Sequence, residues 1–72
     1  KEEIKAIKDI ITEEQAKEIA LKLVAGTVID FEAEREGGQL IYEVKIKTQD
    51  DVVGIEVNAK TGEIVEVEWG ED

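Results

Sequence analysis

Three places in the chain hold residues that could do chemistry: Gln49-Asp50-Asp51, the pair Glu32 and Glu34, and the pair Glu66 and Glu68. Calcium takes six to eight oxygen ligands, so clustered acids invite a metal reading. The Gln49–Asp51 stretch lacks the alternating carboxylates and the bidentate glutamate of a dedicated calcium loop, and it reads as a polar turn. Two carboxyls set on either side of a sugar could serve as a glycosidase couple. Residues two apart on a strand point to one face, however, so each glutamate pair reads as a solvated surface. A chain of 72 residues also leaves little room for a substrate cleft.

The remaining inventory argues against catalysis. Cys, His, Met, Pro and Ser are all absent, and the reactive side chains left are four threonines, one tyrosine, lysines and carboxylates. Without Ser or Cys the familiar nucleophile–base arrangements cannot be assembled. Without His the usual neutral-pH proton shuttle and the commonest transition-metal ligand are missing. Without Cys there is neither a disulfide nor a thiolate metal site. No catalytic residue, cofactor or metal site is expected.

Charge bounds the partners. Nineteen acidic residues against nine basic ones give a net charge of −10. Such a surface repels phosphate backbones and anionic lipid, which excludes nucleic acid and the membrane surface as partners. It favours solubility first and a basic partner second. No apolar run is long enough to span a bilayer. Lys1 stands where an initiator Met would be, as in a processed form or a piece of a longer protein, so the lack of a visible leader says little about location.

Those side chains must be carried by regular elements, and the periodicity shows which. Ile4, Ile7 and Ile11 lie at helical spacing, so residues 1–11 are expected to form a short helical segment. Thr12 and Gln15 compose a capping box, with Glu13 and Glu14 against the positive end of the helix dipole. Ala16, Ile19, Ala20 and Leu23 then mark one face of a helix that Gly26 is expected to close in a left-handed conformation.

From Val28 the period becomes two. Ile29, Phe31 and Ala33 alternate with Asp30, Glu32 and Glu34. Gly37-Gly38 supplies a hairpin turn. Leu40, Tyr42, Val44 and Ile46 form the inward row of a second strand, and Val53, Ile55 and Val57 that of a third. Gly54 suggests a bulge or a close backbone approach there. Asn58 and Gly62 shape the next turn. Val65, Val67 and Trp69 are then expected inward on a fourth strand, with Ile64, Glu66 and Glu68 outward. Tyr42 and Trp69 read as core side chains. Glu43, Lys45, Lys47 and Glu56 read as cross-strand charge pairs, each worth well under ~1 kcal/mol.

Short turns favour a consecutive meander. The expected fold class is α+β: an N-terminal helix, preceded by the short helical segment, packed on one face of a four-stranded antiparallel meander sheet. One domain is expected over residues 12–69, with a frayed tail at 70–72.

The order of these phrases resembles the PepSY family, a small module of peptidase propeptides and bacterial cell-envelope proteins. The resemblance rests on four phrases: Ile11-Thr12-Glu13-Glu14-Gln15-Ala16, Val28-Ile29-Asp30-Phe31-Glu32, Leu40-Ile41-Tyr42-Glu43-Val44-Lys45-Ile46 and Val57-Asn58-Ala59-Lys60-Thr61-Gly62-Glu63-Ile64-Val65. It implies a non-enzymatic binding module that inhibits or regulates a secreted or membrane-associated peptidase, or another envelope protein. It also implies an extracellular or envelope location. A strand edge is the physical route by which such a module could accept an extended peptide. Two other readings stay open: a stand-alone or designed scaffold with no specific partner, and an acidic domain that binds cations.

Overall fold

A computed structural model of the chain describes residues 10–70. One helix, α1 (Glu13–Leu23), precedes four strands: β1 (Thr27–Glu36), β2 (Gln39–Lys47), β3 (Val52–Asn58) and β4 (Ile64–Trp69). The strands pair antiparallel in the order β1-β2-β3-β4. This is the expected α+β meander with a helix across one face.

The start of α1 forms as its residues dictate. The Gln15 amide donates to Thr12 Oγ1 at 3.1 Å, and the Thr12 amide donates to Gln15 Oε1 at 2.9 Å. Its end differs from expectation. Val24 takes an extended conformation, its amide donates to the Ala20 carbonyl at 3.0 Å, and its side chain is buried. Gly26 is not among the left-handed glycines. A β-carbon there would stand 2.5 Å from the Lys47 carbonyl oxygen and 2.6 Å from Ile46 Cγ2. Glycine is needed because the chain passes against the end of β2, not because the helix ends on it. The expected helical reading of residues 1–9 lies outside the described residues, as does the expected fraying of residues 71 and 72; Ile10 and Ile11 precede α1 without helical structure.

Ala16 and Ala20 are fully buried, so α1 lies close upon β2 and β3, over Val44, Ile46, Val53, Ile55 and Val57. Fully burying each such aliphatic side chain is worth about 1.5–3 kcal/mol, which makes this row the main source of stability. A strap ties the approach to α1 onto the sheet. The Ile11 amide donates to the Ala59 carbonyl at 2.8 Å, and the Tyr42 hydroxyl donates to the Ile11 carbonyl at 3.0 Å.

Turn chemistry follows the sequence in two places and departs from it in a third. Gly37 (φ 57°) and Gly38 (φ 82°) make the first hairpin. Asn58 Oδ1 accepts from the amides of Lys60 and Thr61 at 2.8 and 3.1 Å, and Gly62 is left-handed at φ 81°. In the β2–β3 turn the organising residue is Thr48. Its Oγ1 accepts from the Asp51 amide at 2.9 Å and donates to the Asp51 carbonyl at 3.0 Å.

Both edge strands carry a bulge. Val28 faces Ile46 and Asp30 faces Lys45, which leaves Ile29 as an extra residue in β1. Glu56 faces Glu66 and Val57 faces Ile64, which leaves Val65 as an extra residue in β4. The inward rows are therefore Val28, Phe31 and Ala33 on β1 and Ile64, Val67 and Trp69 on β4. The expected placements of Ile29 and Val65 inward and of Ile64 outward are corrected. Gly54, where a bulge or a close backbone approach was expected, makes no bulge and pairs in register with Lys45 and Glu68.

Candidate functional site

The acidic residues that could act chemically do not converge on a cleft. Among the described residues, one carboxylate group has its oxygens mutually within 4.8 Å: Glu32, Glu34 and Glu43. Glu32 and Glu34 are exposed and Glu43 is half-buried on the open face of the sheet, the face away from α1. Asp50 and Asp51 are not part of it, and Asp51 serves the Thr48 turn. Among the described residues these acids gather no other group of reactive side chains around them. The expected cross-strand charge pairing is also corrected in one place, because Glu43 stands directly opposite Glu56. Burial raises the Glu56 carboxyl above its ordinary range, and the neighbouring charges of Glu36, Glu66, Glu43 and Glu34 raise it further.

The apolar residues left outside the core form the stronger site. The approach to α1 is tied to Ala59 and Tyr42, while Gly26, beyond its end, lies against Ile46 and Lys47. Strand β4 starts beside Val57 and ends beside Val53. The helix and β4 therefore run in the same direction. Ile19 leans toward β4, its Cδ1 lying 3.4 Å from where a β-carbon on Gly62 would stand. Leu23 is one helical turn further along that side.

The helix direction and the sheet register thus put Ile19 and Leu23 on the β4 side of α1 and Ile64, Val67 and Trp69 in the inward row of β4, and the space between these two rows is called the furrow. Ile19 and Val67 are half-buried against the core. Leu23 is 52% exposed and Trp69 58% exposed. Both were expected in the core. They miss it because α1 is narrow and centred over the two inner strands, so its outer flank and the edge strand stay uncovered. Ile64 and the bulged Val65 add to the exposed apolar surface.

The opposite flank is closed by chemistry of its own. The Phe31 and Tyr42 rings pack at 5.1 Å between centroids with a 49° tilt, and Lys17 Nζ lies 5.9 Å above the Phe31 ring. Lys17 also binds Glu13 at 2.8 Å. That hydrogen bond holds the Lys17 ammonium above its ordinary value. Tyr42 is thus the core residue the sequence suggested, whereas Trp69 is not. Ile41, which no periodic reading placed inside, is only 3% exposed on the open face between Glu34 and Asn58.

Comparison with known proteins agrees with the fold. YkoJ of Bacillus subtilis (strain 168), a protein of uncharacterised function, is 42% identical over 65 residues; the match covers 89% of this chain and 38% of YkoJ. The crystal structure of a candidate lipoprotein, CD1622, from Clostridium difficile 630 superposes with a TM-score of 0.81 at 33% identity, covering 85% of this chain and 40% of that one. The chain thus spans less than half the length of either relative. Among the described residues no helix is long and apolar enough to cross a membrane. The family model for the peptidase propeptide and YPEB domain matches residues 10–68, and the chain is a member of that PepSY family.

Proposed function

We propose that the chain is a non-catalytic protein-binding module that restrains a peptidase or another envelope protein by docking through the furrow between α1 and β4. The observation that carries this reading is Trp69, one of three aromatic residues in the chain, held more than half exposed in the inward row of an edge strand, while Leu23 on the helix is also exposed. Tryptophan is enriched where partners bind because it offers a large rigid apolar face at little entropic cost. The family's association with peptidase propeptides supports a peptidase as the partner.

Ladder formation along the whole edge is not the mode. The bulge at Val65 interrupts the row of free backbone groups, and bulges of this kind discourage edge pairing. Side chains of an extended or helical peptidase segment fill the furrow instead. The acidic surface supports a partner with basic residues around an apolar centre. An envelope or extracellular setting fits this reading, and the lipoprotein description of CD1622 supports it.

The test is a panel of purified secreted bacterial peptidases, assayed for binding to the immobilised chain and then for inhibition. Saturable binding to at least one member, weakened by Trp69→Glu, is expected. Failure to bind any of them overturns the proposal.

A further inference from the structure

The β1–β2 hairpin and the β3–β4 turn meet at one end of the sheet, where the Ala59 amide donates to the Leu40 carbonyl at 3.0 Å. Between them lies a hollow of about 510 Å³, whose lining includes Arg35, Lys60, Asn58, Thr61, Ile10 and Leu40. Ligand sites commonly have volumes of about 300–1,000 Å³. The chain has 19 acidic residues, yet none is among the described residues of this lining, and both charged groups there are cations. Arg35 is the chain's one arginine. Among the described residues neither Arg35 nor Lys60 enters an ion pair.

Local hydrogen bonding adds donors to those cations. Asn58 Oδ1 already accepts from the amides of Lys60 and Thr61, which fixes the orientation of its side-chain amide and leaves Nδ2 to give. Thr61 Oγ1 accepts from the Glu63 amide at 3.1 Å, and its hydroxyl proton remains to be given. Cations and donors together call for a ligand that only accepts, which is an anion. A guanidinium presents a planar fork that matches the two oxygens of a carboxylate, and an ammonium beside it adds a point charge. A bare inorganic anion would fill a small part of the space. Ile10 and the half-buried Leu40 give the remainder an apolar side. A carboxylate with an apolar side chain on the neighbouring carbon suits both halves, and the last residue of a peptide has that structure.

We propose that this hollow binds the carboxyl terminus of a peptide that ends in an apolar residue. Arg35 and Lys60 hold the carboxylate, Asn58 and Thr61 donate to the oxygens of the terminal residue, and Ile10 and Leu40 receive its side chain. Capture of a terminal carboxylate is a recurring mode of peptide recognition. Both cations are exposed, so each contact alone is weak and the pair together sets the affinity. The net charge of −10 does not forbid an anionic ligand. At physiological ionic strength the Debye length is about 8 Å, so distant acids are screened and the nearest charges decide. Ile19, Leu23, Ile64, Val67 and Trp69 of the furrow take no part in the lining, and the site stands whether or not a peptidase docks there.

Nitrogen-15 NMR of the full chain tests the site, in titrations at about 0.15 M salt. The probes are an N-acetylated alanine tetrapeptide extended by a terminal leucine, the same peptide ending in a carboxamide, and inorganic phosphate. Saturable shifts of the Leu40, Lys60 and Thr61 amides are expected with the carboxylate peptide. The carboxamide and phosphate should each bind about tenfold or more weakly, the loss expected when a charged hydrogen bond or the apolar contact goes. Arg35→Gln and Lys60→Gln change exposed side chains outside the core, and each should weaken the carboxylate peptide by a similar factor. Lys47→Gln, at the other end of β2, should bind as the parent does. Absence of saturable shifts at those amides overturns the proposal, and so does a carboxamide that binds as tightly as the carboxylate. Phosphate binding as tightly as the peptide overturns it in favour of a site for free anions. Affinity left unchanged by both Arg35→Gln and Lys60→Gln overturns it as well.

Discussion

Tyr42 shows how much of this fold hangs on single atoms. Its ring belongs to the core and its hydroxyl reaches out to the Ile11 carbonyl at 3.0 Å, fastening the approach to α1 onto the sheet. Tyr42→Phe keeps the ring and removes that bond, so the loss should be about 0.5–1.5 kcal/mol in urea unfolding. A variant as stable as the parent would show that the strap is idle. Gly26 sets a harder limit, because its missing side chain makes room for the Lys47 carbonyl and Ile46. Gly26→Ala should cost about 1–3 kcal/mol, the range of overpacking, and a neutral result would mean that the chain shifts there freely. Replacing Thr12 by Ala should remove about 1 kcal/mol through the lost cap, measurable in the same way. The capping box was legible in the sequence because it needs only residues three apart. The Gly26 contact was not, since it joins positions brought together by the completed sheet.

At the level of elements, the sequence showed the type and order of the helix and four strands among the described residues, and it missed how two strands are threaded. Val28-Ile29 and Ile64-Val65 are apolar doublets that break strict alternation. Both mark bulges, yet the doublet Leu40-Ile41 marks none, because Ile41 is buried on the open face instead. A doublet alone cannot separate these outcomes, as an extra residue and a two-faced strand give the same local pattern. The helix reading erred at Leu23 for a related reason. Its apolar stripe is wider than the surface that β2 and β3 offer, and Ala16, Ala20 and Val24 claim the contact. Ala20→Leu should therefore lift α1 from the sheet and lower stability by about 1–3 kcal/mol. Leu23→Glu should leave thermal stability nearly unchanged; a large drop in its melting temperature would place Leu23 in the core after all.

For the molecule as a whole, the two faces of the sheet divide the work. One face holds the helix and the core and, along its uncovered flank, the furrow with Trp69. The other holds Glu32, Glu43, Glu56 and Glu66 and carries much of the chain's negative charge. A net charge of −10 opposes self-association of a chain that exposes Leu23, Ile29, Val65 and Trp69. The family was legible from the order of short phrases along the chain. The site was not, because a tryptophan in an inward row looks the same whether a helix covers it or stops short of it.

Trp69 is the chain's one tryptophan, so it reports on the furrow without interference from another site in the same chain. The most direct measurement is the fluorine NMR signal of the chain labelled with 5-fluorotryptophan, titrated with purified secreted bacterial peptidases. The resonance should shift or broaden saturably with a peptidase that the chain inhibits, and Leu23→Glu should weaken that response about tenfold or more, as loss of an interface anchor does. An unchanged resonance in the presence of a bound, inhibited peptidase would contradict docking at the furrow, and the absence of any peptidase that binds would contradict the account of function.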